Sequence, residues 1–435
     1  MNSFFMESER FSQVRIALRN CGPIDPGNID HFIARGGYAG LNRALKMTPA
    51  EVIEELGKSG LRERGGSGFP VAEKWRGCLD APGSEKYVIC NAAEGDPDSL
   101  IAKTLLEKDP HSVFEGMLIA GHATVAGKGL IYVNAEYGQA ISRLRTALKQ
   151  MKDDGLLGDL ILDSSLSFDM EIREAPVNLA CGDENFLINA IEGKQTLPFV
   201  CSPRLPGQGL GGKPTLIHDV ETWVHVSVIF QRGADSYVSY GIGQNRGTKV
   251  ITLSGKVNNP GLIEIPLGTT LRQIVCEIGG GVPEGKDLKA VQVGGPAGGY
   301  LPASYLDLPL DYEPLSKAGA LMGSGTILVI DGDDCMIEHA KRSLSFVQGE
   351  SCGKCVFCRE GTMQMAEILT DITEGKGRSD DIEVLIELCE GLKLGSQCDL
   401  GRAASNPVLT TIKYFREELE AHVKGRKCQA QICTI

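Results

Sequence analysis

Three cysteines at two-residue intervals, Cys352, Cys355 and Cys358 in ESCGKCVFCREG, are the part of the sequence with the most pointed chemistry. A C-x2-C-x2-C run lets one loop turn three thiolates toward a common centre, and Gly353 and Gly361 relieve backbone strain around it. A fourth thiolate must come from elsewhere. Cys398, in GSQCDLGRAA, is the best candidate because it lies between two helical segments and beside glycines, whereas Cys389 sits inside an amphipathic helix and reads as core. Four thiolates suit a [4Fe-4S] cluster or structural zinc, both tetrahedral sulfur sites. The spacing favours iron, since structural zinc usually presents paired C-x2-C knuckles; three unbound thiols are the plain alternative.

A redox cluster needs a donor. In RERGGSGFP, Gly65, Gly66 and Gly68 let backbone come close to a ligand, and Arg64 and Lys74 offer positive charge to a phosphate. By itself this is a weak signal, because it is not the G-x-G-x-x-G dinucleotide fingerprint following a strand. KYVICNAAEGDPD places Asn91, Glu94 and Asp96 just past an apolar strand, where open α/β sheets gather ligands. CGDEN (Gly182, Asp183 and Glu184) repeats glycine with carboxylates, and GGKPTLIHDVETW adds Lys213, His218, Asp219 and Thr222 near a helix start.

These residues have to be held by a large chain. Its 435 residues exceed the size at which one core keeps growing, so several domains are expected. The net charge of -12 argues against nucleic acid or an anionic membrane surface as partner. No apolar run approaches the roughly 18 residues of a membrane span and the N-terminus lacks the order of a secretory signal, so a cytoplasmic location is expected. Fourteen cysteines in such a chain read as reduced thiols, some of them on metal.

KYVIC and GLIYVNAEY read as strands with a helix, EGMLIAGHATVAG, between them, which suggests a βαβ unit and a parallel sheet. TPAEVIEEL carries a Thr48 cap and Pro49 in the first turn of a helix. After Gly233 the pattern alternates, turns at Asn259-Pro260-Gly261 and ends in an amphipathic helix from Thr270, as in a small β-grasp domain. From Asp333 onward most segments are helical.

Taken together, RGGSGFPxxxKW, CNAxEGDP, LLEKDPHxxxEGMxIA, CGxE, IEGK, GKPT, VET, GTKVITLSGKVNNPG and ESCGKCxxCREG stand in the order found in the flavin-bearing NADH-oxidising subunit of respiratory complex I. The chain resembles that family over roughly residues 20 to 425, including its relatives in NAD-linked hydrogenases, formate dehydrogenases and electron-bifurcating complexes. The resemblance implies an α/β fold. A Rossmann-like FMN domain with an N-terminal helical segment (1–240) would be followed by a β-grasp, ubiquitin-like domain (241–332). A C-terminal four-helix domain carrying one [4Fe-4S] cluster (333–425) and a Cys-containing tail (426–435) would complete it. It further implies that hydride from NAD(H) reduces the flavin, which passes single electrons to the cluster. A [2Fe-2S] thioredoxin-like subunit and a larger metal-containing catalytic subunit are the implied partners.

By the same resemblance Gly65, Gly66, Gly68, Lys74, Asn91 and Gly182 match FMN-binding positions, with Arg64 and Thr222 flanking and Asp183, His218 and Asp219 beside them. Phe69, Glu94 and Glu184 match positions facing the dinucleotide, with the two carboxylates as the expected catalytic groups, and Asp96 stands where the family often has Glu. Cys352, Cys355, Cys358 and Cys398 match the cluster ligands.

Departures gather around the nucleotide. Ala93 and Leu179 replace polar family residues, and the aromatics that usually clamp adenine fall on Gly77 and Leu205. Each lost stacking contact is worth on the order of 0.5 to 1.5 kcal/mol. An alternative is therefore an electron-transfer subunit using NADPH, through Arg76 and Arg204, or a non-nicotinamide partner. A scaffold whose flavin site has decayed is a third, opposed by the intact glycine loop. In the tail, Cys428 and Cys433 alone cannot hold a cubane cluster, so a truncated remnant or a metal shared with a partner are the alternatives. Cys21, Cys78, Cys90, Cys181, Cys201, Cys276 and Cys335 sit singly in the sequence and read as core or pocket wall.

Overall fold

The computed structural model describes residues 14–176, 179–194, 207–243 and 245–435. Arg204, Leu205 and Cys201, and with them part of the nucleotide argument, lie outside the described residues.

The first sheet contains β1 (Tyr87–Ala92), β2 (Lys128–Asn134), β3 (Asp169–Ala175) and β4 (Thr215–Asp219), in the order β3-β2-β1-β4 and parallel throughout. Parallel strands need long crossovers, and the helices Pro110–Thr124 and Gly138–Asp153 supply them. Pro110–Thr124 is buried on nearly every side. It crosses the helix Val220–Arg232 so closely that a Cβ on Gly116 would fall 2.2 Å from the Trp223 carbonyl oxygen, which explains the glycine in EGM. The helix Pro49–Ser59 begins with the Thr48–Glu51 capping box expected from TPAEVIEEL.

Chain order reverses at β1. The next strand, β2, lies on one side of it and β4 on the other, so the C-terminal ends of β1 and β4 flank a topological switch point, with Asn91 in register with Asp219. Open α/β sheets bind ligands in that crevice.

A small hairpin, β5 (Gly241–Ile242) and β6 (Asn245–Arg246), leads to the second sheet. This sheet has β7 (Thr248–Gly255), β8 (Gly261–Pro266), β9 (Leu288–Val293), β10 (Gly299–Pro302) and β11 (Thr326–Asp331), in the order β10-β9-β11-β7-β8. The helix expected from Thr270 is a brief, widened π turn, Gln273–Ile278, that buries Ile274, Val275 and Ile278 on the sheet. Buried polar groups tie the second sheet to the helix Val220–Arg232. Lys249 Nζ lies 2.5 Å from Glu221 Oε2, the acid of the VET motif, while Glu221 Oε1 accepts from the Val250 amide at 2.7 Å.

The helices Met336–Gly349, Val356–Thr373, Asp381–Gly395, Asn406–Tyr414 and Arg416–Gly425 form the third unit, with a short helical turn at Asp399–Ala403. Its core reaches the second sheet through Ala290, Tyr300 and Ile330. The tail then folds back to the start of this unit. Cys335, which the sequence presents as isolated, is joined there by His422, Cys428 and Cys433. A residue solitary in sequence gains neighbours because the last helix returns to the start of the first.

Candidate flavin and iron-sulfur centres

The glycine loop lies at the switch point. Gly65 faces Asp219 so closely that a Cβ would sit 3.2 Å from that residue's Cβ. Gly66 and Gly68 adopt left-handed backbone (φ 118° and 62°), and a Cβ on them would meet Gly323 at 3.0 Å and the Tyr312 ring at 2.6 Å. Close approach is indeed what these glycines permit, but for those two the approaching group is the second domain. Phe69 is 45% exposed at the end of the loop, available to stack on a ligand.

Arg64 differs from the expectation of a phosphate-binding cation. It is fully buried, and its guanidinium donates to the carbonyls of Arg62, Arg246 and Thr248 and to the Tyr237 hydroxyl. Its charge is committed to the fold, where it holds the loop to β6 and β7. Thr222 is likewise buried; its hydroxyl accepts from the Arg64 amide at 2.8 Å and donates to Asp219. Asp219 caps the helix Val220–Arg232 by accepting from the Thr222 amide.

Lys74 Nζ lies 2.5 Å from Glu63 Oε1, also pairs with Glu184, and donates to the Ile217 carbonyl at 2.6 Å. Burial alone would lower its pKa, yet the two carboxylates raise it, so the ammonium persists. Glu63 stands in RERGGSGFP but is not among its candidate residues, and the fold brings it to Lys74 and His218. Burial opposes its charge, but Lys74 and His218 outweigh that and hold its pKa well below the carboxylate range. His218 is buried, and both its ring nitrogens are taken, one by Glu63 and the other by Trp75.

At the end of β1, Asn91 donates to the Cys181 carbonyl at 2.9 Å, which brings Gly182 to the crevice. Gly182 has open space around it. Glu94 accepts from Ser99 and from the Ala102 amide, and burial, aided by Asp96, pushes its carboxyl up to about 7. Asp96 points the other way and accepts from Ser324 and Thr326 of the second domain, each at 2.7 Å. Ala93 is buried. Arg76 and Gly77 lie half-buried on the helix Val71–Asp80.

Cys352, Cys355, Cys358 and Cys398 line one cavity together with Ser351, Leu400, Ala180, Asp183 and Phe186. Cys355 is the N-cap of the helix Val356–Thr373, Cys358 lies in its first turn, and Gly353 (φ 69°) makes the bend between Cys352 and Cys355. Gly401, just after Cys398, packs so tightly that a Cβ on it would be 3.3 Å from the Cys358 Cβ. Burial pushes the Cys398 thiol up to about 11, so a bound cation is required to keep a thiolate there at neutral pH. Among the described residues, the group whose donor atoms all fall within 4.8 Å of one another is a different one, at Cys335. The wider cage of four thiols suits a cube of iron and sulfur better than one zinc ion. Asp183 caps the helix Glu184–Ile191 and faces this cage, so the segment that carries Gly182 and Glu184 also forms the cluster's wall.

Comparison with known proteins agrees with this arrangement. Residues 56–228 match the Nuo51 FMN-binding domain, 250–300 the SLBB domain, and 338–422 the NADH-ubiquinone oxidoreductase-F iron-sulfur binding region. The chain is 47% identical over 97% of its length to HndC, a subunit of the NADP-reducing hydrogenase of Solidesulfovibrio fructosivorans, covering 86% of that protein. It is 37% identical to an F-type subunit of NADH-quinone oxidoreductase from Rhizobium meliloti, with 95% of this chain and 98% of that one covered. Against the F-type subunit of the Escherichia coli NADH-quinone oxidoreductase the identity is 36%, over 91% and 90%. The fold matches a chain of a NAD+-reducing [NiFe]-hydrogenase with a TM-score of 0.80 and 33% identity, covering 88% of this chain and 64% of that longer one. No helix among the described residues is long and apolar enough to cross a membrane. The cofactors are accordingly FMN and a [4Fe-4S] cluster, and the chain belongs to the family of flavin- and iron-sulfur-bearing subunits that includes HndC and the F-type subunits of NADH-quinone oxidoreductase.

Proposed function

We propose that this chain oxidises or reduces a nicotinamide dinucleotide at the β1–β4 crevice and delivers electrons through the Cys352, Cys355, Cys358 and Cys398 centre to partner subunits of a cytoplasmic complex. The observation that carries this is the shared wall: Ala180, Asp183 and Phe186 border the cysteine cage, while Gly182 and Glu184 of the same segment border the crevice. A flavin bound there supplies the conversion between a two-electron hydride and single electrons. The chain's own groups supply the rest. Asn91 and the glycine loop shape the seat, Lys74 gives a cation, Phe69 a stacking face, and Glu94 and Glu184 are the carboxylates nearest the nucleotide. Partners of the [2Fe-2S] thioredoxin-like type and a larger metal-containing catalytic subunit would receive the electrons.

NADPH is the second reading, favoured by the 47% identity to a subunit of an NADP-reducing hydrogenase and by Arg76 beside the missing aromatic at Gly77. Anaerobic titration of the reconstituted chain with NADH and, separately, NADPH distinguishes the two by the loss of oxidised-flavin absorbance. Bleaching by either nucleotide supports the proposal and identifies the donor; a bound flavin that neither reduces refutes it.

A further inference from the structure

Where the tail meets the start of the helical domain, a second group of metal-ligating side chains gathers, apart from the iron-sulfur cage. Cys335, His422, Cys428 and Cys433 each offer one donor atom, and all four atoms lie within 4.8 Å of one another. Cys335 Sγ is 3.4 Å from His422 Nε2 and 3.6 Å from Cys433 Sγ. A tetrahedral zinc ion with Zn–S near ~2.3 Å and Zn–N near ~2.0 Å has S···S edges of about 3.8 Å and S···N edges of about 3.5 Å. The two contacts match those edges to within a few tenths of an ångström. They are also far longer than a disulfide, whose sulfurs stand about 2.05 Å apart.

The surroundings are arranged for ligation. His422 Nδ1 faces the Glu418 carbonyl at 2.8 Å. A carbonyl can only accept, so the ring proton resides on Nδ1 and the Nε2 lone pair points at the sulfurs, the orientation that metal-bound imidazoles take. Backbone amides of Ile432 and Cys433 reach the Cys428 sulfur, and that of Glu338 reaches Cys335, at the N-cap of its helix. Gln431, with φ 55°, turns the backbone so that the two tail cysteines converge. His422 and Cys335 are fully buried, Cys428 is 7% exposed and Cys433 is half-buried at the outer side, so three of the four donors are shielded from solvent. A closed set of three sulfurs and one nitrogen is the donor set of structural zinc, and lacks the open position of a catalytic ion.

We propose that Cys335, His422, Cys428 and Cys433 bind one structural zinc ion that fastens the two ends of the helical domain together. Cys335 opens that domain immediately after β11, and the other three ligands close it. The ion therefore anchors the tail and the cluster-bearing helices to the C-terminal end of β11, the central strand of the second sheet, a role independent of which nucleotide the crevice takes.

The full chain, expressed with both iron and zinc available, tests this by elemental analysis and zinc K-edge absorption. The expected result is one zinc per chain with a shell of three sulfurs and one nitrogen. Cys428→Ser and Cys433→Ser lose that zinc while iron and flavin contents hold. His422→Cys, which keeps a complete donor set, retains zinc with a four-sulfur shell and serves if the serine variants do not fold. Absence of stoichiometric zinc from the wild type, zinc retained in both serine variants, iron in place of zinc, or a Cys335–Cys433 disulfide in the mass spectrum would each overturn the assignment.

Discussion

The indole N–H of Trp75 donates to His218 Nε2 at 2.9 Å, which leaves the His218 proton on Nδ1, where it meets Glu63 Oε1 at 2.8 Å. One buried histidine thus relays the position of the helix Val71–Asp80 to the acid that holds Lys74. Trp75→Phe removes the donor and leaves Nε2 buried without it, at a cost of about 1–3 kcal/mol. Chemical denaturation at neutral pH checks this; a variant as stable as the wild type would mean that the relay is incidental.

Burial lowers the pKa of His218, and takes His111 and His225 down to about 4 from 6.5. Between about 4 and 6.5 the unfolded chain therefore binds more protons at these residues than the folded one, so their contribution to stability rises with pH across that window and flattens above it. Relative to His111→Gln and His225→Gln, the wild-type midpoint of thermal unfolding should climb as pH rises from 4.5 to about 6.5 and then level.

Glu94 acts in the opposite sense. Its carboxyl is at about 7 in the fold against an ordinary 4.5, so the folded state holds the extra proton and its contribution to stability declines as pH rises between those values. Glu94→Gln should be roughly 1–3 kcal/mol more stable relative to the wild type at pH 8 than at pH 4.5. A difference that stays constant across the range would show that the residue is not protonated near neutrality.

Lys74 stands between two carboxylates, with its side chain and that of Glu63 each little more than a tenth exposed. Removing one partner of such a pair leaves uncompensated charge, so Lys74→Met should cost about 2–4 kcal/mol and also reduce flavin retention. Glu184→Gln keeps the Glu63 pair and should cost under about 1 kcal/mol. Equal losses in the two variants would contradict the pairing hierarchy.

Gly68 and Tyr312 form the contact between loop and second domain. A Cβ at Gly68 would strike the Tyr312 ring at 2.6 Å on a left-handed backbone. Gly68→Ala should therefore destabilise by more than about 1 kcal/mol. In a Tyr312→Ala background the steric part disappears, so the double-mutant cycle should be non-additive, and strict additivity would argue against direct contact.

Local chemistry was legible from residue order alone wherever it is short-range. The C-x2-C-x2-C spacing, the Thr48 capping box and the β1–helix–β2 pattern depend on residues near each other in the chain, and each takes the structure its neighbours dictate. The glycines announced a close approach, because a missing Cβ at positive φ leaves room for one, but not which surface approaches. That surface is Tyr312 and Gly323, in a different domain. Arg64, Asp96 and His218 looked like ligand groups because polarity is visible in a sequence and burial is not; bonds from loops of the first domain to strands of the second turned Arg64 and Asp96 into structural groups. The same limit hid the cluster of Cys335 with His422, Cys428 and Cys433. Cys335 and His422 are 87 residues apart in the chain, and only the return of the last helix across the start of its domain brings their atoms together.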